Sequence, residues 1–376
     1  MEGNFVRNTR FGTGVVLGLL LGCGRLPEQA PLASDDSKAS AEATSPSPPI
    51  AARSAEPLAL ADAPMSNDRR ADVRQFVFHY ESSLSDLPPG SNVRVWLPVP
   101  RQDEYQQVEI AEQELPAEAS LHTESRYGNR MLYFESPAPE SGELATRVAY
   151  RVRRRAVPAI DAGGKKSSDQ RGGGERDAPE RYLAPDAKVP VSGKPLELLA
   201  GVELPSDPFA VGRRLFDVVD NHVAYNKEGT GWGQGDVLWV CDSRYGNCTD
   251  FHSLFISLAR SQNVPARFEI GFPLPEGRGG GEVAGYHCWA FFYADEHGWV
   301  PVDVSEADKH PERRDEYFAR LSPDRVAFTV GRDLVLDPPQ AGEPLNYFIY
   351  PYVEVDGAVY PTDQIRMRFA YEDLQP

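Results

Sequence analysis

Tyr245-Gly246-Asn247-Cys248-Thr249-Asp250-Phe251-His252 places a cysteine directly after a residue suited to start a helix. Beyond Cys248, apolar side chains fall at Phe251, Leu254, Phe255 and Leu258, the three-and-four spacing of an amphipathic helix. Asn247 stands where an N-cap belongs, and Asp250 three residues later forms a near capping box. Asn263 before Val264-Pro265 marks the expected end of the helix. Cys248 is then the first helical residue, where unpaired amides and the positive end of the macrodipole favour an anion. Its thiol is expected to ionise below the ordinary cysteine value of about 8.5, and the thiolate is the nucleophilic form.

The next apolar segment, Tyr286-His287-Cys288-Trp289-Ala290-Phe291-Phe292-Tyr293, has the length and aromatic content of a strand. Asp295-Glu296-His297-Gly298 turns the chain into a second strand, Trp299-Val300-Pro301-Val302-Asp303-Val304. Side chains alternate faces along a strand, so His287 shares a face with Trp289 and Phe291, and Asp303 with Pro301 and Trp299. In an antiparallel hairpin His287 lies opposite Asp303 or one diagonal step away, depending on register. Cys248, His287 and Asp303 in that order supply a nucleophile, a base to deprotonate it, and a carboxylate to orient the imidazole and stabilise its protonated form.

These phrases, together with Leu258-Ala259-Arg260, Val264-Pro265-Ala266-Arg267, Gly285-Tyr286-His287-Cys288-Trp289 and Gly298-Trp299-Val300-Pro301-Val302-Asp303, resemble the transglutaminase-like superfamily. The resemblance covers roughly residues 205 to 335. It implies an α+β fold with a papain-like core, in which Cys248 is nucleophile, His287 base and Asp303 orienting acid. It also implies that Phe209 to Tyr225 form the helix preceding the site. The superfamily includes cross-linking enzymes, proteases, other amide hydrolases and inactive relatives, so fold and residues carry over better than substrate.

His252, one helical turn beyond Cys248, is expected to pack. A zinc site built from Cys241, Cys248, His252 and Cys288 is a competing reading, but the close paired-cysteine spacing of structural zinc sites is missing. Trp232 and Trp239 precede the nucleophile; an indole N–H there could assist an oxyanion hole with the Cys248 amide, although core packing is the simpler role for both. No metal or other cofactor is needed by a thiol mechanism, and no EF-hand or Walker spacing is present.

At the amino terminus Arg7 and Arg10 precede a short apolar run, Val15 to Leu21, with the shape of a secretory leader. Leu20-Leu21-Gly22-Cys23 resembles the bacterial lipobox, which implies that residues 1–22 are removed and Cys23 carries a lipid anchoring the chain to the cell envelope. Residues 23–70, rich in Ala, Ser, Pro and Asp, are expected to form a disordered spacer, since they hold too little apolar surface to offset ordering entropy. Three cysteines then remain; Cys248 must be free for thiol chemistry, while Cys241 and Cys288 could pair in an oxidising compartment.

From residue 71 to 158 short alternating runs such as Gln75-Phe76-Val77-Phe78-His79-Tyr80 predict an antiparallel β-sandwich domain. The Arg151 to Arg155 cluster on one of these strands reads as a solvated sheet edge. Residues 159–180, with Gly172-Gly173-Gly174, read as a flexible linker, and 181–376 as the catalytic domain. Gly277 to Gly281 reads as a flexible loop, while Val326-Ala327-Phe328-Thr329 and Tyr347-Phe348-Ile349-Tyr350 read as further strands. A net charge of -17 disfavours nucleic acid and anionic lipid as partners. The sequence therefore predicts an exported, lipid-anchored thiol enzyme that hydrolyses or transfers acyl groups of proteins or peptides through a thioester. A noncatalytic envelope scaffold on the same fold is the competing class.

Overall fold

A computed structural model describes residues 73–160 and 178–375. The expected leader, Cys23, the spacer and most of the glycine-rich linker lie outside the described residues. The amino-terminal part forms β1 (Val73–Leu84), β2 (Asn92–Val99), β3 (Gln106–Glu114), β4 (Ser120–Thr123), β5 (Arg130–Pro137) and β6 (Leu144–Arg155). There follow α1 (Pro208–His222), β7 (Ala224–Tyr225), α2 (Val237–Ser243), β8 (Tyr245–Gly246) and α3 (Cys248–Ser261). Next come β9 (Ala266–Pro273), β10 (Gly280–Glu282), β11 (His287–Ala294), β12 (Gly298–Val302), α4 (Val304–Lys309) and β13 (Arg325–Val330). The chain closes with β14 (Tyr352–Val355), β15 (Ala358–Val359) and β16 (Arg366–Asp373).

Strict alternation in β1 buries Phe76, Phe78 and Tyr80 on one face. They share a core with Val93, Val95 and Leu97 of β2, so the amino-terminal region is sandwich-like as expected. Its two five-stranded sheets, ordered β10-β16-β1-β6-β3 and β15-β14-β2-β5-β4, nevertheless draw strands from both ends of the chain. β16 pairs with β1 and β14 with β2, so the sandwich extends beyond residues 71–158. In that pairing Tyr80 is opposite Phe369, their rings 5.0 Å apart, and Phe369 and Tyr371 of β16 join the same core.

Three local expectations are corrected. Tyr347-Phe348-Ile349-Tyr350 is not a strand; Pro351 interrupts it, having no N–H for a ladder, and pairing begins at Tyr352. The Gly277 to Gly281 loop is partly ordered, because Gly280–Glu282 pairs with β16. The Arg151 to Arg155 cluster is not on an edge: β6 lies between β1 and β3, and Arg154 is only 1% exposed.

The four-stranded sheet β12-β11-β9-β13 carries the candidate chemistry. Alternation along β11 sends Cys288, Ala290 and Phe292 into the main core with α3, and Trp289 and Phe291 into a second cluster with Val157, Leu321 and Tyr105. The sheet is thus packed on both faces, against α3 on one and against Tyr105, Val157 and Leu321 on the other. Among the described residues no helix is long and apolar enough to cross a membrane.

Candidate active site

The helix expected after Asn247 forms as α3, with the capping box complete. The Thr249 N–H donates to Asn247 Oδ1 at 2.9 Å, and Asp250 Oδ2 accepts from the Asn247 N–H at 2.9 Å. The helix ends where expected, with Asn263 in the left-handed region at φ 59°. Cys248 therefore occupies the first turn, and it is 3% exposed.

β11 and β12 form the expected hairpin, with Ala290 opposite Val302 and Phe291 opposite Pro301. The ladder stops at Val302, and Asp303 leaves it to become the N-cap of α4. This register puts Asp303 a diagonal step from His287, close enough for His287 Nε2 and Asp303 Oδ2 to lie 2.8 Å apart. Nδ1 is then the imidazole nitrogen left for the Cys248 sulfur, with which His287 interacts. Cys248, His287 and Asp303 are brought together.

Burial opposes ionisation of Cys248, but hydrogen bonding to the Cys288 thiol and the hydrogen bond and charge of the His287 ring outweigh it and hold its pKa well below the usual thiol range. Burial likewise disfavours the His287 imidazolium, yet the Asp303 carboxylate and the Cys248 sulfur push its pKa up to about 10. Asp303 is fully buried; desolvation alone would raise its pKa, but His287 above all, and Arg325, hold it below the usual carboxylate range. The arrangement favours a thiolate–imidazolium pair over a neutral thiol and imidazole.

His252 does more than pack. Its Nε2 accepts the Val304 N–H at 3.0 Å, and its Nδ1 lies 3.6 Å from Cys288 Sγ. The zinc reading fails on geometry: among the described residues Cys241, Cys248, His252 and Cys288 do not bring three ligand atoms together. Cys241 and Cys288 are both free thiols, so the pairing left open by the sequence is not made. Among the described residues one group could offer three metal ligands, His287, Asp303 and Glu306, whose atoms lie within 4.8 Å of one another. Trp232 donates its indole N–H to Gly229 O at 3.2 Å, and Trp239 packs on Tyr245 at 5.2 Å between centroids.

Several contributors escaped the sequence reading. Asp250 accepts from the backbone N–H groups of Gly233 at 2.6 Å and Gly235 at 2.9 Å, besides Asn247, and so docks the Gly231-Trp232-Gly233-Gln234-Gly235 loop beside the nucleophile. Burial pushes its carboxyl up to about 6 despite those donors. The glycine spacing of that loop was the available signal of close backbone approach. Tyr286 accepts from Asn247 Nδ2 at 3.1 Å and meets Tyr347 at a tilt and Tyr350 edge-on, at 5.7 and 5.9 Å between centroids. Arg325 Nη1 approaches Asp303 Oδ2 at 3.4 Å from a strand that carried no chemical motif.

The fold that brings Cys248 at a helix start together with His287 and Asp303 from a hairpin is transglutaminase-like. Residues 197–304 match the Transglutaminase-like superfamily, and the chain contains a transglutaminase-like domain. An uncharacterized protein of Haemophilus influenzae is 32% identical over 159 residues, covering 34% of this chain and 43% of that protein, so the chain spans less than half the length of this curated relative. The crystal structure of a proposed cysteine protease from Cytophaga hutchinsonii is similar at a TM-score of 0.51 and 16% identity, over 81% of this chain and 92% of that one. The periplasmic domain of TgpA from Pseudomonas aeruginosa, bound to ethylmercury, gives a TM-score of 0.32 and 16% identity over 65% of this chain and 94% of that one. At such identities the structural likeness concerns fold alone.

Proposed function

We propose that the protein is an exported thiol enzyme, tethered through lipid on Cys23, that cleaves or transfers acyl groups of protein or peptide amides. The observation that carries this reading is the 2.8 Å contact of His287 with buried Asp303 beside the sulfur at the start of α3. The Cys248 thiolate attacks the amide carbonyl carbon, forming a C–S bond as the carbonyl electrons move to oxygen, where the Cys248 backbone N–H donates. The tetrahedral species collapses to a thioester, and the amine leaves with the proton held by His287. Water or an acceptor amine then attacks the thioester, giving its proton to His287 and releasing the thiolate. Asp303 keeps the imidazole oriented throughout.

Hydrolysis is the preferred second step, because an exported enzyme meets abundant water and no acceptor-binding motif is visible. Transfer would need a site that positions an amine and excludes water. Glutaminyl peptides incubated with a labelled primary amine separate the outcomes. Cleaved or deamidated product absent from Cys248→Ala supports hydrolysis, and Cys248-dependent amine incorporation replaces it with transfer. Absence of any Cys248-dependent product across protein and peptide libraries would favour a noncatalytic scaffold. Mass spectrometry of the exported protein tests the anchor: a lipidated Cys23 at the mature amino terminus is expected, and an unmodified Cys23 contradicts it.

A further inference from the structure

We propose that Arg325 is a positioning residue of the candidate triad, reaching Asp303 from β13 and keeping its carboxylate the anionic partner of His287. The proposal rests on the reading of Cys248, His287 and Asp303 as the catalytic centre. Arg325 Nη1 is 3.4 Å from Asp303 Oδ2, the oxygen that faces His287 Nε2 at 2.8 Å. The other oxygen is occupied by the start of α4, accepting from Ser305 Oγ at 3.3 Å and the Glu306 N–H at 3.4 Å.

A fully buried carboxylate needs a counter-charge. His287 provides one only while it holds its proton, and in an amide-cleaving cycle it gives that proton to the leaving amine. At that point Asp303 would face a neutral ring, and the proton could settle on the carboxylate instead of returning to the imidazole. A guanidinium stays charged throughout. The other groups around Asp303 do not substitute for it. His252 Nε2 lies 3.7 Å from Oδ1 but accepts the Val304 N–H, a role open only to an uncharged imidazole. Lys309 on α4 is paired with Glu306, which also lies 3.8 Å from His287 Nε2. Tyr317 receives the Asp303 N–H on its carbonyl, and Cys248 and Cys288 bring no positive charge.

The reach of Arg325 is braced. Its guanidinium lies 4.7 Å from the centroid of Trp289, whose indole N–H donates to Glu269 Oε2 at 3.1 Å; Glu269 is in turn paired with Arg267 at 2.9 Å. Arg325 is 7% exposed and Trp289 fully buried, so three strands of one sheet set the guanidinium's place. A lysine would retain charge but lose the planar stack.

The test is the pH dependence of Cys248 alkylation by iodoacetamide in the full chain, which requires no substrate. Arg325→Gln is expected to shift the acid limb upward by roughly one pH unit, because Asp303 then protonates more readily and holds the imidazolium beside the thiolate less firmly. Arg325→Lys should fall between Gln and wild type. A folded Arg325→Gln with the wild-type limb overturns the proposal, since a merely structural arginine would change melting without moving the limb. Should Arg325→Gln not fold, Trp289→Phe, which loosens the guanidinium without removing charge, must shift the limb in the same direction, and an unmoved limb counts against the proposal. A wild-type Cys248 no more reactive than free cysteine overturns the triad reading itself and this proposal with it.

Discussion

The backbone N–H of Val304 donates to His252 Nε2 at 3.0 Å, tying the helix that begins at Cys248 to the residue that follows Asp303. One side chain thereby fixes the separation of the two ends of the candidate triad. Replacing it with phenylalanine keeps a buried ring, slightly larger, but leaves a buried amide without its acceptor. We predict that His252→Phe loses about 1–3 kcal/mol of stability by denaturant titration. It should also lower Cys248-dependent turnover at temperatures where the protein is fully folded. Unchanged stability and turnover would mean that His252 only fills space.

Asp303→Asn should preserve the outline of the site and slow turnover by roughly 10³–10⁴-fold, as expected when the imidazole's partner is neutralised. The sign of the accompanying pH effect is fixed by the ion pair. Asp303 is among the groups that push His287 up to about 10, so its neutralisation lowers the imidazolium pKa. The alkaline limb of the pH–rate profile, expected near pH 10 in the wild type, should move to lower pH. A limb that stays in place would show that Asp303 does not set the state of His287.

Asp250 holds three backbone N–H groups with one carboxylate. In Asp250→Asn one oxygen becomes an NH₂ that must face a donor, so we expect a loss of about 2–4 kcal/mol and release of the 231–235 loop. Hydrogen exchange at Gly233 and Gly235 would report it directly, and retained protection at both amides would contradict this account of the loop.

Gly271 pairs with His287 across β9 and β11, while its other side meets β13 so closely that a Cβ would lie 1.9 Å from the Val326 carbonyl oxygen. Gly271→Ala must therefore push β13 away, at a cost of about 1–3 kcal/mol. Because Arg325 begins that strand, alkylation of Cys248 should slow as well. Wild-type melting and labelling would show that the strands adjust freely.

The parts of the site legible in the sequence are those governed by short-range rules. Helix periodicity and an N-cap placed Cys248, and period-two alternation placed His287 and Asp303 on one hairpin, with the choice between direct and diagonal pairing left to the fold. What escaped depends on long-range pairing. Nothing local to Arg366–Asp373 states that it must pair with β1, and that pairing decides where the sandwich ends. Arg325 and the tyrosines at 347 and 350 reach the site only because distant segments pack there, and Pro351 displaced the expected strand by a few residues. Asp250 was legible as a cap but not as the anchor of a loop upstream of it in the chain.

The most direct test of the account is the ultraviolet thiolate absorbance of the wild type minus that of Cys248→Ala across pH. The interactions around Cys248 predict thiolate signal well below the ordinary cysteine value of about 8.5, persisting through neutral pH as a pair with the His287 imidazolium. A thiolate that appears only at or above that value would contradict the ion pair, and with it the proposal that Cys248 is poised as a nucleophile.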